Sequence, residues 1–350
     1  MIDYEVLSVY CHACALKDSN EEMSDEDKAA WRQQHAPDCC KNFDGSSKAM
    51  EQEAAKRIWS RSLKRHNIRY TQMLSDGDST AFKAVVEAKP YGEVSVEKLE
   101  CINHAHKRMG TALRKLTKEK RLGGRGKGRL TAAKCNNLQN YYRGAILDNL
   151  GNLESMRAAI WAGLFHSMST DENPHHTRCG SWCWYRKALD AGEVPPSHDE
   201  HPGSTYVTAE VAEQMVPVYR RMSDESLLKR MQHGGTQNTN ECLNSVIWSR
   251  CPKTTFVGKR RVEAAVGMAV TSFNEGASAI STAMDSLWME STAVTLTAIK
   301  EEDALRMAKA DAASLSVAKR RRKSADAAKK IQRHQQEMEE GATYAAGMAD

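Results

Sequence analysis

Two carboxylates separated by one glycine, Asp76-Gly77-Asp78, close the short strand-like run Tyr70-Thr-Gln-Met-Leu-Ser75. Hard oxygen ligands at the C-terminal end of a strand suit Mg²⁺ or Mn²⁺, and metal-dependent phosphoryl-transfer sites are often built on such edges. A further carboxylate, Glu241, ends the polar stretch Thr236-Gln-Asn-Thr-Asn-Glu241. There Thr239 or Asn240 can cap a helix and leave Glu241 in its first turn. Asp76 is the leading ligand of its pair because it comes first after the strand; Asp78 is an alternative or an outer ligand. Each feature also has a plainer reading. Asp-Gly-Asp is a common turn, and a first-turn glutamate complements the helix dipole. Only the combination raises both.

A second chemistry is written in cysteine and histidine. Cys11-x-x-Cys14 followed by His35-x-x-x-Cys39 is a Cys₃His pattern for structural Zn²⁺, with Cys40 an alternative fourth ligand. Cys101-x-x-His104 is another pair, which His176-x-x-Cys179 could complete, with His175 and Cys183 as competitors. Cys135, Cys242 and Cys251 have no partner pattern and read as buried thiols. Ten cysteines in a chain that opens without a basic segment and an apolar run argue for a reducing compartment with zinc, not a disulfide framework.

Charge is unevenly spread. The chain has 350 residues and a net charge of +5, yet residues 1–50 hold ten acidic and five basic side chains. Residues 107–134 hold eleven Lys and Arg against one acid, Glu119, and residues 306–334 hold ten against two. Two basic blocks point to a polyanion partner, although each alone also reads as a solvated helical face. In the first block, Lys107, Arg108, Arg114, Lys115, Arg121, Arg125, Lys127 and Arg129 are the candidates for DNA phosphates. The glycine-rich segment Gly123-Gly-Arg-Gly-Lys-Gly128 within it is not a P-loop, because it lacks the Gly-Lys-Ser/Thr ending. Lys319-Arg-Arg-Arg-Lys323 suits a nuclear localisation signal or a DNA-backbone contact. No apolar run approaches the length of a membrane span.

These groups need elements to hold them. Residues 2–10 alternate and predict a strand, 20–36 and 48–65 predict helices, 68–75 a strand and 79–87 a helix. From 95 to 235 strand signals nearly vanish, and helical patterns cover 97–120, 131–148, 152–168, 182–191, 208–221 and 223–232. Residues 240–276 predict one or two more helices, and from about 300 the chain is Ala-, Lys- and Glu-rich with little to bury, a solvated helix or a disordered tail.

Read together, several stretches resemble the Mutator-like transposase domain abundant in arthropod genomes, a cut-and-paste DNA transposase group related to the Mutator and Kolobok superfamilies. They are Asp3-Tyr-Glu-Val-Leu-Ser8, Cys11-x-x-Cys14, Asn42-Phe-Asp-Gly-Ser-Ser47, Arg69-Tyr70 with Ser75-Asp-Gly-Asp-Ser79, Cys101-Ile-Asn-His104 with Lys107-Arg-Met-Gly110, Thr236-Gln-Asn-Thr-Asn-Glu241 and Ile247-Trp-Ser-Arg-Cys-Pro-Lys253. The resemblance implies an α/β, RNase H-like fold with an Asp-Asp-Glu triad and two divalent ions. Asp76 falls on the second aspartate, Cys101 and His104 on the Cys-x-x-His motif, and Glu241 on the glutamate. The first aspartate of such proteins lies on the opening strand, and nothing of that kind precedes residue 2. The expectation is therefore an N-terminally truncated domain, missing its first strand and weak or inactive in catalysis. Its parts would be a partial RNase H-like core over 1–92 with a zinc loop at 11–40, an all-α insertion over 93–235, returning helices over 236–290 and a basic tail over 291–350. The partners implied are DNA and a second copy in a homodimer, and the compartment is the nucleus.

Overall fold

The computed structural model describes residues 1–75, 80–180, 182–199, 201, 204–255, 257–315, 317–318, 321–322 and 324–325. Asp76, Asp78, most of the basic run 319–323 and the tail beyond 325 lie outside these residues. Contacts divide the chain into one unit of Ile2–Glu263 and a second made of Ala264–Asp350 with Met1.

Residues 2–10 are extended but form no strand. Their backbone groups find side-chain and loop partners instead of a ladder. The Asn42 side chain accepts from Ser8 N–H at 2.7 Å and donates to the Val6 carbonyl at 2.9 Å, while the backbone N–H groups of Asn42 and Phe43 both reach the Ser8 carbonyl. Asp3 and Glu5 are clamped by Arg61, which donates to both carboxylates. Alternation therefore records which side chains face the helix carrying Arg61, not strand pairing.

Three helices follow: α1 (His12–Asp18), α2 (Asp25–His35) and α3 (Ser47–His66). Ser24 and Ser46 cap α2 and α3 by accepting from Asp27 N–H and Ala49 N–H, and Asn67 ends α3 in the left-handed region at φ 54°. Strand β1 (Gln72–Ser75) then leads through α4 (Thr80–Ala88) to β2 (Glu97–Glu100). The two strands pair in parallel, from Gln72↔Glu97 to Ser75↔Glu100. A parallel pair needs a crossover, and α4 supplies it while packing on α3. Ala55, Ala81, Val85, Tyr91 and Val96 close a small core here, with Trp59, Met73 and Phe82 against it.

The helix expected over 97–120 is corrected by β2. Glu97–Glu100 joins the ladder of β1, Cys101 is extended at ψ 121°, and α5 (Ile102–Glu119) starts only after it. The apolar spacing Ile102, Ala105, Met109, Leu113 begins at Ile102, so the polar tetrapeptide before it had no helical face to complete.

From α5 onward the first unit builds a helical bundle with α6 (Ala132–Leu147), α7 (Leu153–His166), α8 (Trp184–Asp190), α9 (Ala209–Met222), α10 (Glu225–Lys229) and α11 (Asn238–Arg250), after which α12 (Lys259–Glu275) runs into the second unit. Its core runs through Ile102, Met109, Leu113, Leu138, Met156 and Met215, each fully buried, and full burial of such side chains contributes about 1.5–3 kcal/mol apiece. Tyr142 donates to the Met222 carbonyl at the C-terminus of α9 at 3.0 Å, and Trp161 donates to Ser223 Oγ at 3.0 Å, so the buried end of α9 is satisfied. Gly128 sits at φ 79° where an added Cβ would collide with Thr208, whose N–H donates to the Gly128 carbonyl, so glycine is required at this turn. The second unit contains α13 (Ser278–Ser286) and α14 (Ala293–Ser314). There Asp303 of α14 accepts from the N–H groups of Ala277 and Ser278 and caps α13 from outside its own segment. Among the described residues no helix is long and apolar enough to cross a membrane.

Candidate metal centres and catalytic junction

The first cluster is the Cys₃His set read from the sequence. Cys11 is the N-cap of α1, Cys14 lies in its first turn, His35 ends α2 and Cys39 follows a single 3₁₀ turn, Ala36–Asp38. One ligand atom from each lies within 4.8 Å of all the others. A tetrahedral Zn²⁺ with ordinary bond lengths separates its ligands by about 3.3 Å for N–N, 3.6 Å for N–S and 3.8 Å for S–S. Cys11 Sγ lies 3.3 Å from His35 Nε2, and Cys14 Sγ lies 3.6 Å from Cys39 Sγ. The residues fit the ion. Trp31 stacks on His35 with ring centroids 4.5 Å apart and fixes the plane of the imidazole. Burial alone would raise Cys11, but the N–H groups of Cys14 and Cys40 and the His35 ring bring it down to about 5. Burial and its neighbours Cys39 and Cys11 push Cys14 up to about 12. Cys40 is outside the cluster and contributes its backbone N–H.

The second cluster differs from the expected one. His176 and Cys179 meet His166 and Cys183, and Cys101 and His104 belong to neither group. His166 is the last residue of α7, and Cys183 is the N-cap of α8. The spacing His176-x-x-Cys179-x-x-x-Cys183 was a usable signal. His166 was not: in the last turn of an apolar helix it reads as a dipole-complementing residue.

Cys101 has another task. It is fully buried at the N-cap of α5, and its Sγ accepts from the backbone N–H of Gln237 at 3.4 Å. The Gln237 side-chain amide donates to the Leu74 carbonyl of β1 at 3.3 Å. Cys101 N–H donates to the Ser75 carbonyl and Ile102 N–H to the Gly235 carbonyl, each at 3.3 Å, and Asn103 donates to Asn238 at 2.8 Å. These bonds dock the start of α11 on the C-terminal end of β1 and the N-terminus of α5. Glu241 lies in the first turn of α11, exposed, with its N–H bonded to the Gln237 carbonyl. Ser75, the last described residue before Asp76, pairs with Glu100 of β2. Glu100 is buried and balanced by Arg108 at 2.8 Å, Arg230 at 3.7 Å and Lys98 at 3.9 Å.

The basic block divides by use. Lys107, Arg108 and Lys115 of α5 line an open groove of about 660 Å³ together with His104, Arg221 and Leu227. Arg108 is committed to Glu100, and Lys115 makes a loose 3.7 Å pair with Glu119. Arg114 is exposed and reaches Asn136 and Gln139 of α6. Arg121 and Arg125 are exposed in the glycine-rich connection. Lys127 pairs with Asp199 at 2.7 Å, and Arg129 donates to the carbonyls of Gly123 and Arg121. Of the three cysteines with no ligand spacing, Cys135 and Cys251 are buried as expected, whereas Cys242 is exposed on α11.

No curated protein and no solved structure matches the chain. A family model does: that of the Mutator-like transposase matches residues 1–183, just over half of the sequence and the whole of both cysteine–histidine clusters. The chain belongs to the Mutator-like transposase family.

Proposed function

We propose that this chain is a transposase-derived DNA-binding protein of the Asp-Asp-Glu type, whose ancestral chemistry is DNA cleavage and strand transfer. The observation that carries this reading is the docking of α11 on the end of β1 through Gln237, which brings the first turn holding Glu241 to the strand end that continues into Asp76. Strand end and helix start lie far apart in sequence, and a shared ion pocket requires such a contact. The unit β1–α4–β2 with α5 is what an RNase H-like core would place around it, and the motif stretches favour the arthropod Kolobok-type branch.

In this reading Asp76 and Glu241 offer hard oxygens to Mg²⁺ or Mn²⁺, with Asp78 beside them. Bound divalent ions would supply an activated water or 3′-hydroxyl and stabilise the leaving oxygen. The protein's part is to fix the two carboxylates: Gln237 and Cys101 hold the helix start, and the ladder to β2 holds the strand. The groove along α5 presents Lys107 and Lys115 to phosphates, and its position beside the Cys101 motif lets one duplex run from groove to pocket. The first cluster holds structural Zn²⁺ that ties α1 to α2. The behaviour expected of this reading is DNA binding that weakens steeply with salt. A nuclear location and a homodimer holding two DNA ends accompany this function.

The test is duplex binding by anisotropy across a salt series, paired with nicking of supercoiled DNA in Mg²⁺ and in Mn²⁺. A steep fall of affinity with salt is expected. Any nicking that remains should vanish in Asp76→Ala and in Glu241→Ala. Absence of DNA affinity at low salt would overturn the proposal and leave a helical protein-interaction module.

A further inference from the structure

We propose that His166, His176, Cys179 and Cys183 form a second structural Zn²⁺ centre, and that His198 and Asp171 form a relay behind it that sets the tautomer of His176. Five close approaches converge on four atoms. His166 Nδ1 and His176 Nδ1 are 3.1 Å apart. Cys179 Sγ lies 3.6 Å from the first and 3.7 Å from the second. Cys183 Sγ lies 3.7 Å and 3.4 Å from the same pair. The N–N and N–S edges of a tetrahedral zinc site are about 3.3 and 3.6 Å. Neutral imidazole nitrogens and two thiolates select zinc over the hard ions suited to carboxylates. With four protein ligands and no open position, such a site is structural.

The relay fixes which nitrogen of His176 is bare. The Asp171 carboxylate can only accept, and His198 Nδ1 lies 2.5 Å from Asp171 Oδ1, so His198 carries its proton on Nδ1. With the ring holding that single proton, its Nε2 is an acceptor. It faces His176 Nε2 at 2.7 Å, so His176 carries its proton on Nε2. His176 Nδ1 is left as a lone pair aimed at the two sulfurs. Carboxylate, imidazole, ligand is the order in which proteins orient metal-bound histidines, here extended by one ring. Asp171 is itself held by the backbone N–H of His198 at 2.8 Å and by the Ser197 hydroxyl at 2.5 Å.

The surroundings supply the need. Between α7 and α9 the described chain has one regular element, the seven-residue α8. Apart from Cys183 and Val207, the buried side chains of this stretch are polar, Ser167, His176, His198 and Thr205 among them. Its apolar anchors are half-buried Met168, Trp182, Trp184 and Tyr185, with Trp182 stacked on Tyr141 at 4.2 Å, and a metal cross-link would add to so small a core. Tyr185 stacks on His176 with centroids 4.1 Å apart and closes one side.

The experiment measures zinc in the folded full-length chain by elemental analysis, then its release to a chromogenic chelator. Two zinc ions per chain are expected. Cys183→Ser should leave one ion, Cys14→Ser should leave one, and Cys101→Ser should keep both. Asp171→Asn and His198→Gln should keep both ions but weaken the second by about 10- to 100-fold. Cobalt substitution of the parent should show thiolate charge transfer at two sites, which covers the case in which Cys183→Ser fails to fold. A parent holding one ion that Cys14→Ser removes would overturn the second centre. Unchanged zinc release in both Asp171→Asn and His198→Gln would overturn the relay.

Discussion

Gln237 donates its side-chain amide to the Leu74 carbonyl across 3.3 Å, while its own backbone N–H is held by the buried thiol of Cys101. One residue thus joins the strand end, the α5 N-cap and the helix start that carries Glu241. Removing the amide in Gln237→Ala should cost about 1 kcal/mol, a fall in melting temperature of about 2–4 °C. The sharper readout is Mn²⁺-induced thermal stabilisation, which should shrink together with that of Glu241→Gln. An undiminished Mn²⁺ shift in Gln237→Ala would detach this contact from the ion pocket.

The groove along α5 separates cations that can meet phosphate from cations already spoken for. Lys107→Ala and Lys115→Ala should each lower the salt slope of DNA binding by about 1. Arg129→Ala should act differently, because its guanidinium holds the carbonyls of Gly123 and Arg121. Its effect belongs in thermal stability, with the slope unchanged. Equal slopes for Lys107→Ala and parent would place the DNA elsewhere.

Much of this was legible in the residues for reasons of range. Cys11, Cys14, His35 and Cys39 fall within 29 residues, and short polar connections leave few ways to arrange them. The helices α5, α6, α7 and α9 follow from apolar spacing that a bundle must satisfy. Strand β2 was hidden because Glu97-Lys-Leu-Glu100 has no apolar alternation of its own and acquires its state from the ladder with β1. His166 was missed and Cys101 was paired with His176 and Cys179 for the same reason: a side chain's partners 10 or 136 residues away are decided by packing, not by spacing. Residues 2–10 alternate as a strand would, yet Asn42 and Arg61 took the roles a neighbouring strand would have filled.

The clamp on residues 2–10 carries a pH signature. Burial opposes the charge on Asp3, but the Arg61 hydrogen bond, the Tyr4 N–H and the charges of Arg61 and Arg65 outweigh it and hold the carboxyl below its ordinary value of 3.8. A carboxyl depressed on folding stabilises fully above the unfolded value and loses that contribution as pH falls through the folded one. Hydrogen exchange at Tyr4–Ser8 should therefore be pH-corrected flat above about pH 5 and accelerate below 3.8. Asp3→Asn should abolish the dependence. Arg61→Ala should cost about 1 kcal/mol, because Asp3 keeps Arg65 at 3.3 Å and Glu5 keeps Arg57 at 3.2 Å.

Zinc removal should act locally before it acts globally. An ion in the first cluster would tie α1 to α2, two short helices with no fully buried residue of their own, so their position would depend on it more than on packing. Residues 240–250 of α11, by contrast, are held by buried Leu243 and Ile247 and by the Gln237 junction. Adding a strong chelator to the full-length chain should raise hydrogen exchange across residues 11–39 by orders of magnitude while the amides of 243–250 change little. Cys14→Ser should reproduce that pattern without chelator. Equal protection of both regions in metal-free protein would mean that the helices pack on their own and that the four ligands lie close for another reason.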